Sequence, residues 1–274
     1  MPELPEVETI VVGLRELITG HIIKDVLIRE EKVIAFPPKE EFESSIKGKE
    51  IQSVNRRGKY ILINLSEGMT MVVHLRMTGR LMVLPKEVDY DKHTHVVFHL
   101  ENGLDLRFHN LRKFGRIYLV QDNQFERVGN LTALGPEPLS VDFTLEKFKE
   151  LLQGRTTNIK ALLLKQDFIA GLGNIYTDEA LFEAGISPRK LVKDLTDEQI
   201  DKLYKAIKAV LQRGIKYGGT SFSDYRNARN EKGDFQNRLS VYKQKGKKCP
   251  RCGAEIVKEK IAGRGTHYCP QCQH

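Results

Sequence analysis

A proline placed directly after an initiator methionine can become the mature N-terminus, since methionine removal is expected before a small second residue. This chain opens Met1-Pro2-Glu3-Leu4-Pro5-Glu6-Val7-Glu8. A freed Pro2 would carry a secondary amine, a nucleophile that needs no side chain. Glu3 and Glu6 set two carboxylates within a few residues of it, where a proton could be taken up or released. The competing reading of the same residues is a disordered, proline-containing leader.

A second reactive group lies at the other end. All four cysteines, Cys249, Cys252, Cys269 and Cys272, fall in the last 26 residues, as Cys-x2-Cys, sixteen residues, then Cys-x2-Cys. Two turn-linked thiolate pairs at this spacing suit one tetrahedral Zn2+. Four thiolates leave no open coordination position, so the expected role is structural. Two disulfides are the alternative, and a chain with no visible export signal argues against them.

These groups need elements to position them. Apolar residues at Leu4, Val7, Ile10, Val11, Leu14, Leu17 and Ile18 have helical spacing, with Gly20 as a stop. The helix start therefore falls beside Pro2. Its dipole should lower the amine's pKa while Glu3 and Glu6 oppose this, and the sequence leaves the outcome open. From about 22 to 120 the pattern is short and alternating. Strands are expected at Ile22–Ile28, Lys59–Leu65, Met71–Leu75, Arg80–Leu84, His95–Leu100, Leu104–Phe108 and Arg116–Val120, which suggests a sandwich or barrel.

Gly135-Pro136-Glu137-Pro138 breaks regular structure and marks a domain boundary. Downstream, Thr144 caps one expected helix, Ile159–Leu164 forms a short one, and Thr196 with Gln199 makes a capping box for a long helix ending at Gly218-Gly219. Gly171-Leu172-Gly173-Asn174 precedes another helix start, where a backbone can approach phosphate closely; most such turns are only turns. Residues 220–240 read as a polar loop, either functional or a linker. Over 243–274 eight Lys/Arg face two Asp/Glu. Allowing about −2 for a four-thiolate zinc centre, this segment stays positive and suited to a phosphate backbone.

The whole chain carries net charge +8 with pI near 9.2, which points to a polyanionic partner, nucleic acid before membrane surface. No stretch approaches the roughly 18 apolar residues of a membrane span, and no basic amphipathic helix of the membrane-surface kind is visible.

Taken together, several segments resemble the formamidopyrimidine-DNA glycosylase family, bacterial enzymes that remove oxidised purines. They are Pro2-Glu3-Leu4-Pro5-Glu6-Val7-Glu8-Thr9, Arg57-Gly58-Lys59-Tyr60, His74-Leu75-Arg76-Met77-Thr78-Gly79-Arg80 and Arg112-Lys113-Phe114-Gly115. Leu134-Gly135-Pro136-Glu137-Pro138-Leu139, Gly173-Asn174-Ile175-Tyr176 and Gly263-Arg264-Gly265-Thr266-His267-Tyr268-Cys269-Pro270 follow in order. Seven such segments, bracketed by Pro2 and four cysteines, cover nearly the whole chain.

The resemblance implies an α+β multi-domain fold. Residues 1–134 would be a β-sandwich with a leading helix. Residues 135–240 would be a helix–two-turn–helix domain with a lesion-capping loop at about 218–236, and 241–274 a four-cysteine zinc-finger β-hairpin. The implied activity is a bifunctional glycosylase and abasic-site lyase with Pro2 as nucleophile. The partner would be double-stranded DNA with an oxidised purine opposite cytosine, bound by a monomer in the bacterial cytoplasm, associated with the nucleoid.

By the same resemblance Glu3 is the acid–base group, Glu6 supports the nucleophile, and Lys59 grips phosphates at the lesion. His74, Asn174 and Arg264 hold phosphates, with His93 and Lys160 as weaker DNA contacts. Met77, Arg112 and Phe114 fill the space left by the extruded base, and Arg112 also contacts DNA. Thr220, Ser221 and Tyr225 belong to the lesion loop. The plain alternatives are a first-turn acid for Glu6, an edge lysine for Lys59, an N-cap for Asn174, a solvated hairpin arginine for Arg264, plain surface residues for His93 and Lys160, core packing for Met77 and Phe114, and a linker for the loop. Asn110 and Lys165 stand where the family has Asp. Val11-Val12 replaces an Arg pair, and Arg226, Arg229 and Asn230 depart from the loop pattern. The rival readings are an endonuclease VIII-like enzyme for oxidised pyrimidines, which typically has glycine in place of Leu4, and a non-catalytic zinc-finger DNA-binding protein.

Overall fold

A computed structural model describes residues 1–274. The chain divides into two compact units, Met1–Ala133 with Tyr217–Asp234, and Leu134–Lys216 with Phe235–His274.

The first unit begins with α1 (Leu4–Ile18), whose Leu4, Val7, Ile10, Val11, Leu14 and Ile18 are buried. Nine strands follow: β1 (Ile23–Ile28), β2 (Ile34–Phe36), β3 (Ile51–Arg57), β4 (Tyr60–Leu65), β5 (Met69–His74), β6 (Gly79–Pro85), β7 (Thr94–Leu100), β8 (Leu104–Asn110) and β9 (Arg116–Gln121); α2 (Lys39–Ile46) lies between β2 and β3. They form a four-stranded sheet ordered β1-β7-β8-β6 and a five-stranded sheet ordered β2-β9-β5-β4-β3. Inward residues of both sheets and of α1 share one core, with Val7, Ile61, Val73, Phe98 and Phe108 among its members. This is the expected sandwich with its leading helix, and α1 packs on β3, β4 and β6.

Three elements were not visible in the sequence pattern: β2, β3 and α2. The reason is physical in each case. Strand β3 fully buries only Ile51 and Val54, and its other five residues are polar and partly or fully exposed, so alternation is faint. Strand β2 is three residues long, and α2 buries only Phe42 and Ile46. Such elements draw their stability from neighbours rather than from their own periodicity.

The loop segment 217–234 belongs to this unit, and Tyr225 and Ala228 enter its core. The Val83 N–H donates to the Ala228 carbonyl at 2.9 Å, so the segment lies along β6.

The second unit contains α3 (Leu145–Leu152), α4 (Ile159–Leu163), α5 (Asn174–Ala184), α6 (Asp197–Lys216) and the hairpin β10 (Val257–Ile261) and β11 (Arg264–Tyr268). The caps are those the sequence indicates. The Thr144 hydroxyl accepts from Lys147 N–H at 3.2 Å. Thr196 and Gln199 each accept the other's backbone N–H at 3.2 Å. Helix α5 is different: every residue from Ile175 to Phe182 is buried, the mark of a helix surrounded on all sides.

Candidate active site and DNA-contact residues

Pro2 is buried and immediately precedes Glu3, the N-cap of α1. Glu3 and Glu6 form a reciprocal capping box, and the Glu3 N–H donates to Glu6 Oε2 at 2.8 Å. Both carboxylates are nearly inaccessible, Glu3 at 4% and Glu6 at 1%. The other oxygen, Oε1, accepts the Thr220 N–H at 2.7 Å and the Thr220 hydroxyl at 2.9 Å. Tyr225 is buried beside them and its hydroxyl donates to the Glu6 carbonyl at 3.3 Å. Burial, with the Glu6 carboxylate nearby, pushes the Tyr225 phenol far above its ordinary value, so it stays a donor. Ser221 hydroxyl donates to the Tyr225 carbonyl at 3.2 Å and accepts the Gly233 N–H at 3.0 Å. Pro2, Glu3, Glu6, Thr220, Ser221 and Tyr225 therefore share one neighbourhood.

Lys59 sits in the two-residue turn between β3 and β4, where Arg57 and Tyr60 are register partners. Gly58 takes φ +56°, a left-handed conformation that glycine adopts without a Cβ penalty. Lys59 is only 6% exposed, so it is not the solvent-facing edge lysine of the plain alternative. Arg56 fixes this turn against α1: its Nε donates to Glu8 Oε2 at 2.6 Å and its Nη1 to the Gly58 carbonyl at 3.0 Å. His74, at the end of β5, pairs in register with Tyr60. Its ring stands edge-on to the Tyr60 ring at 4.5 Å. Burial, then the positive charges of Arg76 and Lys59, depress its pKa to about 3. The neutral imidazole accepts the Arg76 N–H on Nδ1 at 3.0 Å, which leaves Nε2 as its N–H donor.

The loops after β5 and β8 bring the three expected filling residues together. Met77 and Phe114 are 45% and 47% exposed, which excludes the core reading of both. Arg112 lies between them, with Nη1 3.2 Å from Met77 Sδ and its guanidinium 4.7 Å from the Phe114 ring centre. A clamp that sequence reasoning missed holds this trio. Thr78 hydroxyl accepts the Arg112 N–H at 3.1 Å and donates to Asn110 Oδ1 at 2.9 Å. Asn110 is fully buried, and its Nδ2 has no partner. The amide oxygen thus makes the bond that a carboxylate at this position could make, and the amide nitrogen adds nothing. His93 is half-buried, with its ring edge-on to His109 at 5.6 Å.

In the second unit, Asn174 is the first residue of α5 and Gly173 is the N-cap, so Asn174 is not the cap. Its Nδ2 donates to the Gly265 carbonyl at 2.9 Å, next to exposed Arg264. The Gln166 side chain braces the preceding turn, accepting Gly171 N–H at 3.1 Å and donating to Leu172 O at 2.7 Å. Lys160 corrects an expectation. It is 0% exposed, and its Nζ lies 2.5 Å from Asp178 Oδ1 and 2.7 Å from Thr266 Oγ1. An ammonium paired inside the fold does not reach a DNA backbone; it positions the hairpin instead. Asp178 Oδ2 also accepts the His267 N–H at 2.9 Å. Adjacent Glu179 accepts three N–H groups, from Ser240, Val241 and Tyr242, at 2.8, 2.9 and 2.8 Å. No local pattern distinguishes these buried acids from surface acids on a helix.

Cys249, Cys252, Cys269 and Cys272 converge, with all four Sγ atoms within 4.8 Å of one another. A tetrahedral site with Zn–S near 2.3 Å requires sulfurs about 3.8 Å apart. The pairs Cys249–Cys272 and Cys252–Cys269 stand at 3.8 and 3.5 Å, so the residues fit a structural zinc. The thiols do not ionise alike. Burial raises Cys249, but N–H groups of Cys252 and Arg251 outweigh it and leave it at about 7. Burial and the neighbouring sulfurs push Cys272 up to about 12. Crowded thiolates oppose one another, and a divalent cation removes that opposition. Arg251, within the first knuckle, donates to the Phe182 and Glu183 carbonyls at 2.7 and 3.0 Å, which joins the zinc segment to the C-terminus of α5 and suits its dipole.

Three family models match in chain order: the formamidopyrimidine-DNA glycosylase N-terminal domain over residues 1–117, the formamidopyrimidine-DNA glycosylase H2TH domain over 134–226, and a zinc finger found in FPG and IleRS over 246–274. A formamidopyrimidine-DNA glycosylase of Desulforamulus reducens is 47% identical, covering 100% of this chain and 99% of its own. A solved complex of wild-type Lactococcus lactis Fpg with DNA containing N7-benzyl-Fapy-dG superposes with TM-score 0.92 at 39% identity, covering 100% of both chains. A complex of the Lactococcus lactis protein with abasic-site DNA gives TM-score 0.92 at 38% identity, with 99% of each chain covered. No helix of this chain is long and apolar enough to cross a membrane. The chain belongs to the formamidopyrimidine-DNA glycosylase family of DNA-repair enzymes.

Proposed function

We propose that this protein excises oxidised purines opposite cytosine from double-stranded DNA and then cleaves the strand, acting as a monomer in the bacterial cytoplasm on nucleoid DNA. In this reading residues 1–134 carry the chemistry, 135–240 the helical grip, except that the loop 217–234 packs into the first unit, and 241–274 the zinc hairpin. The observation that carries the reading is Pro2 at the start of α1 with the buried Glu3 and Glu6 beside it.

The target nucleotide must first leave the duplex, at a cost of a few kcal/mol. Once Met1 is removed, the Pro2 nitrogen attacks C1′, the glycosidic bond breaks, and its electron pair leaves with the base, which takes a proton. Glu3 transfers the proton that accompanies sugar-ring opening. The product of a secondary amine is an iminium with no N–H proton to lose, so it remains an electron sink. Loss of a C2′ proton expels the 3′ phosphate, and a second elimination expels the 5′ phosphate, leaving a one-nucleotide gap with phosphate at both ends.

Lys59 and neutral His74 hold the phosphates at the lesion, His74 through its Nε2–H. Asn174, with the N-terminal end of α5 and its dipole, and Arg264 hold further phosphate. Met77 and Phe114 occupy the vacated stack, and Arg112 pairs with the orphaned cytosine. His93 adds a lesser contact. A zinc ion held by the four cysteines keeps the hairpin folded and takes no part in bond breaking.

Borohydride reduction tests the reading. Protein verified to lack Met1, mixed with an 8-oxoguanine:cytosine duplex, should form a covalent adduct at Pro2. No adduct under those conditions rejects the enzyme in favour of a DNA-binding module. Faster excision of thymine glycol than of 8-oxoguanine would move the protein to the pyrimidine-specific sister group.

A further inference from the structure

One carboxylate joins the start of α1 to a loop more than two hundred residues away in sequence. Glu6 Oε2 holds the backbone N–H of Glu3, the residue bonded to Pro2, while Oε1 holds both the N–H and the hydroxyl of Thr220. The junction is tight. A Cβ at Gly219 would lie 2.8 Å from Glu6 Cγ and 2.9 Å from Oε1, at a backbone φ of +77°. Across the loop base, a Cβ at Gly233 would meet the Gly218 and Gly219 carbonyl oxygens at 2.3 Å. The loop is therefore seated on Glu6 at Gly219, and its base is closed by Gly233 against Gly218 and Gly219, with the Ser221 hydroxyl joining its two ends.

Both oxygens of one carboxyl group turn together about a single bond. Donors on Oε1 therefore set where Oε2 points, and Oε2 sets the backbone next to the nucleophile. We propose that Gly219 and Thr220 are positioning residues for Pro2, acting through Glu6, so that seating of the lesion loop is a condition for a correctly aimed amine. The proposal rests on the function proposed above and extends it. The loop does not only read the extruded base; its root sets the attack geometry even where there is no base to read.

A duplex with a preformed abasic site separates the two roles, because it offers the loop no base. Gly219→Ala should lift the loop from Glu6, and Thr220→Val removes one donor while keeping side-chain volume. The readouts are single-turnover borohydride adduct formation at saturating protein on an 8-oxoguanine:cytosine duplex and on the abasic duplex. Affinity for tetrahydrofuran-containing DNA and thermal melting are measured alongside. Misplacement of a reacting group by about 1 Å costs on the order of 100-fold, so adduct formation should fall at least ~10-fold on both duplexes. Affinity should stay within about threefold, and Thr220→Ser should recover the rate. Normal trapping on the abasic duplex with slowed excision of 8-oxoguanine would overturn the proposal and leave a loop that reads the base alone. So would a loss of affinity matching the loss of rate, or a failure of Thr220→Ser to recover it. The absence of any adduct with the unsubstituted protein would instead reject the underlying function.

Discussion

Glu6 and Asp178 are each 1% exposed, yet they are held in different ways. Glu6 accepts the N–H of Glu3 and the N–H and hydroxyl of Thr220, which come from a chain end and a glycine-flanked loop. Asp178 is gripped by the Lys160 ammonium and by the His267 N–H, on a helix and a hairpin that already pack together. A hydrogen bond to an N–H or hydroxyl can be exchanged for one to water at a net cost of about 1 kcal/mol. A buried ion pair is costly to open, because opening strands a charge. The first arrangement suits a place where a nucleotide must enter and chemistry must follow; the second suits a frame.

Four measurements would break or sharpen that contrast. The largest effect should come from the metal. Structural zinc in finger peptides contributes about 10–16 kcal/mol to folding. Chelation or Cys252→Ser should therefore unfold the hairpin and lower DNA affinity at least ~100-fold, while the β-sheet circular dichroism of the first unit persists. Undiminished affinity after complete zinc loss would contradict a metal-held frame. Next, Asp178→Ala should cost roughly 3–5 kcal/mol in denaturant unfolding, because Lys160 would be left charged and buried. The double variant Asp178→Leu with Lys160→Met should regain most of it; an equal loss in both would show that packing, not charge, holds the frame.

A smaller effect is expected from acid, and it should enter through the first unit. His74 has a native pKa of about 3, below its unfolded value near 6.5, so the unfolded chain binds more protons between these values. Stability is full above pH 6.5 and falls with pH, by about 2 kcal/mol between pH 6.5 and 5. Replacing His74 by Gln should flatten the melting profile over that range. Smallest is the Thr78 clamp. Thr78→Val removes one hydroxyl from the Arg112 N–H and from Asn110 Oδ1, and a single such bond amounts to about 1 kcal/mol. With Arg112 in its proposed place against the orphaned cytosine, the ratio of excision opposite cytosine to excision opposite adenine should drop roughly fivefold, and Asn110→Asp should preserve it. An unchanged preference after Thr78→Val would mean that Arg112 needs no such support.

Legibility in the sequence followed the range of the interactions concerned. Helix α1, the strands with strong alternation, the Thr144 and Thr196 caps and the cysteine knuckles are written in residues close together in the chain. Strand β3 was not, because its two buried residues carry too little pattern. Lys160 misled because a lysine in a short helix looks exposed until Asp178 and Thr266 close over it. Asn110 looked like a departure that would unsettle Arg112, whereas its Oδ1 serves the Thr78 hydroxyl directly.

What the sequence alone determined is therefore the kind of chemistry: a proline that can become a terminal amine, acids beside it, a four-thiolate centre and a basic surplus. Residue type and short spacing suffice for these, since nucleophile, metal ligand and charge are properties of individual side chains. Only the tertiary structure decided which partners the buried polar groups meet. Glu6 meets Thr220 across 214 positions and Lys160 meets Thr266 across 106. Packing, not sequence spacing, brings such partners within hydrogen-bond reach.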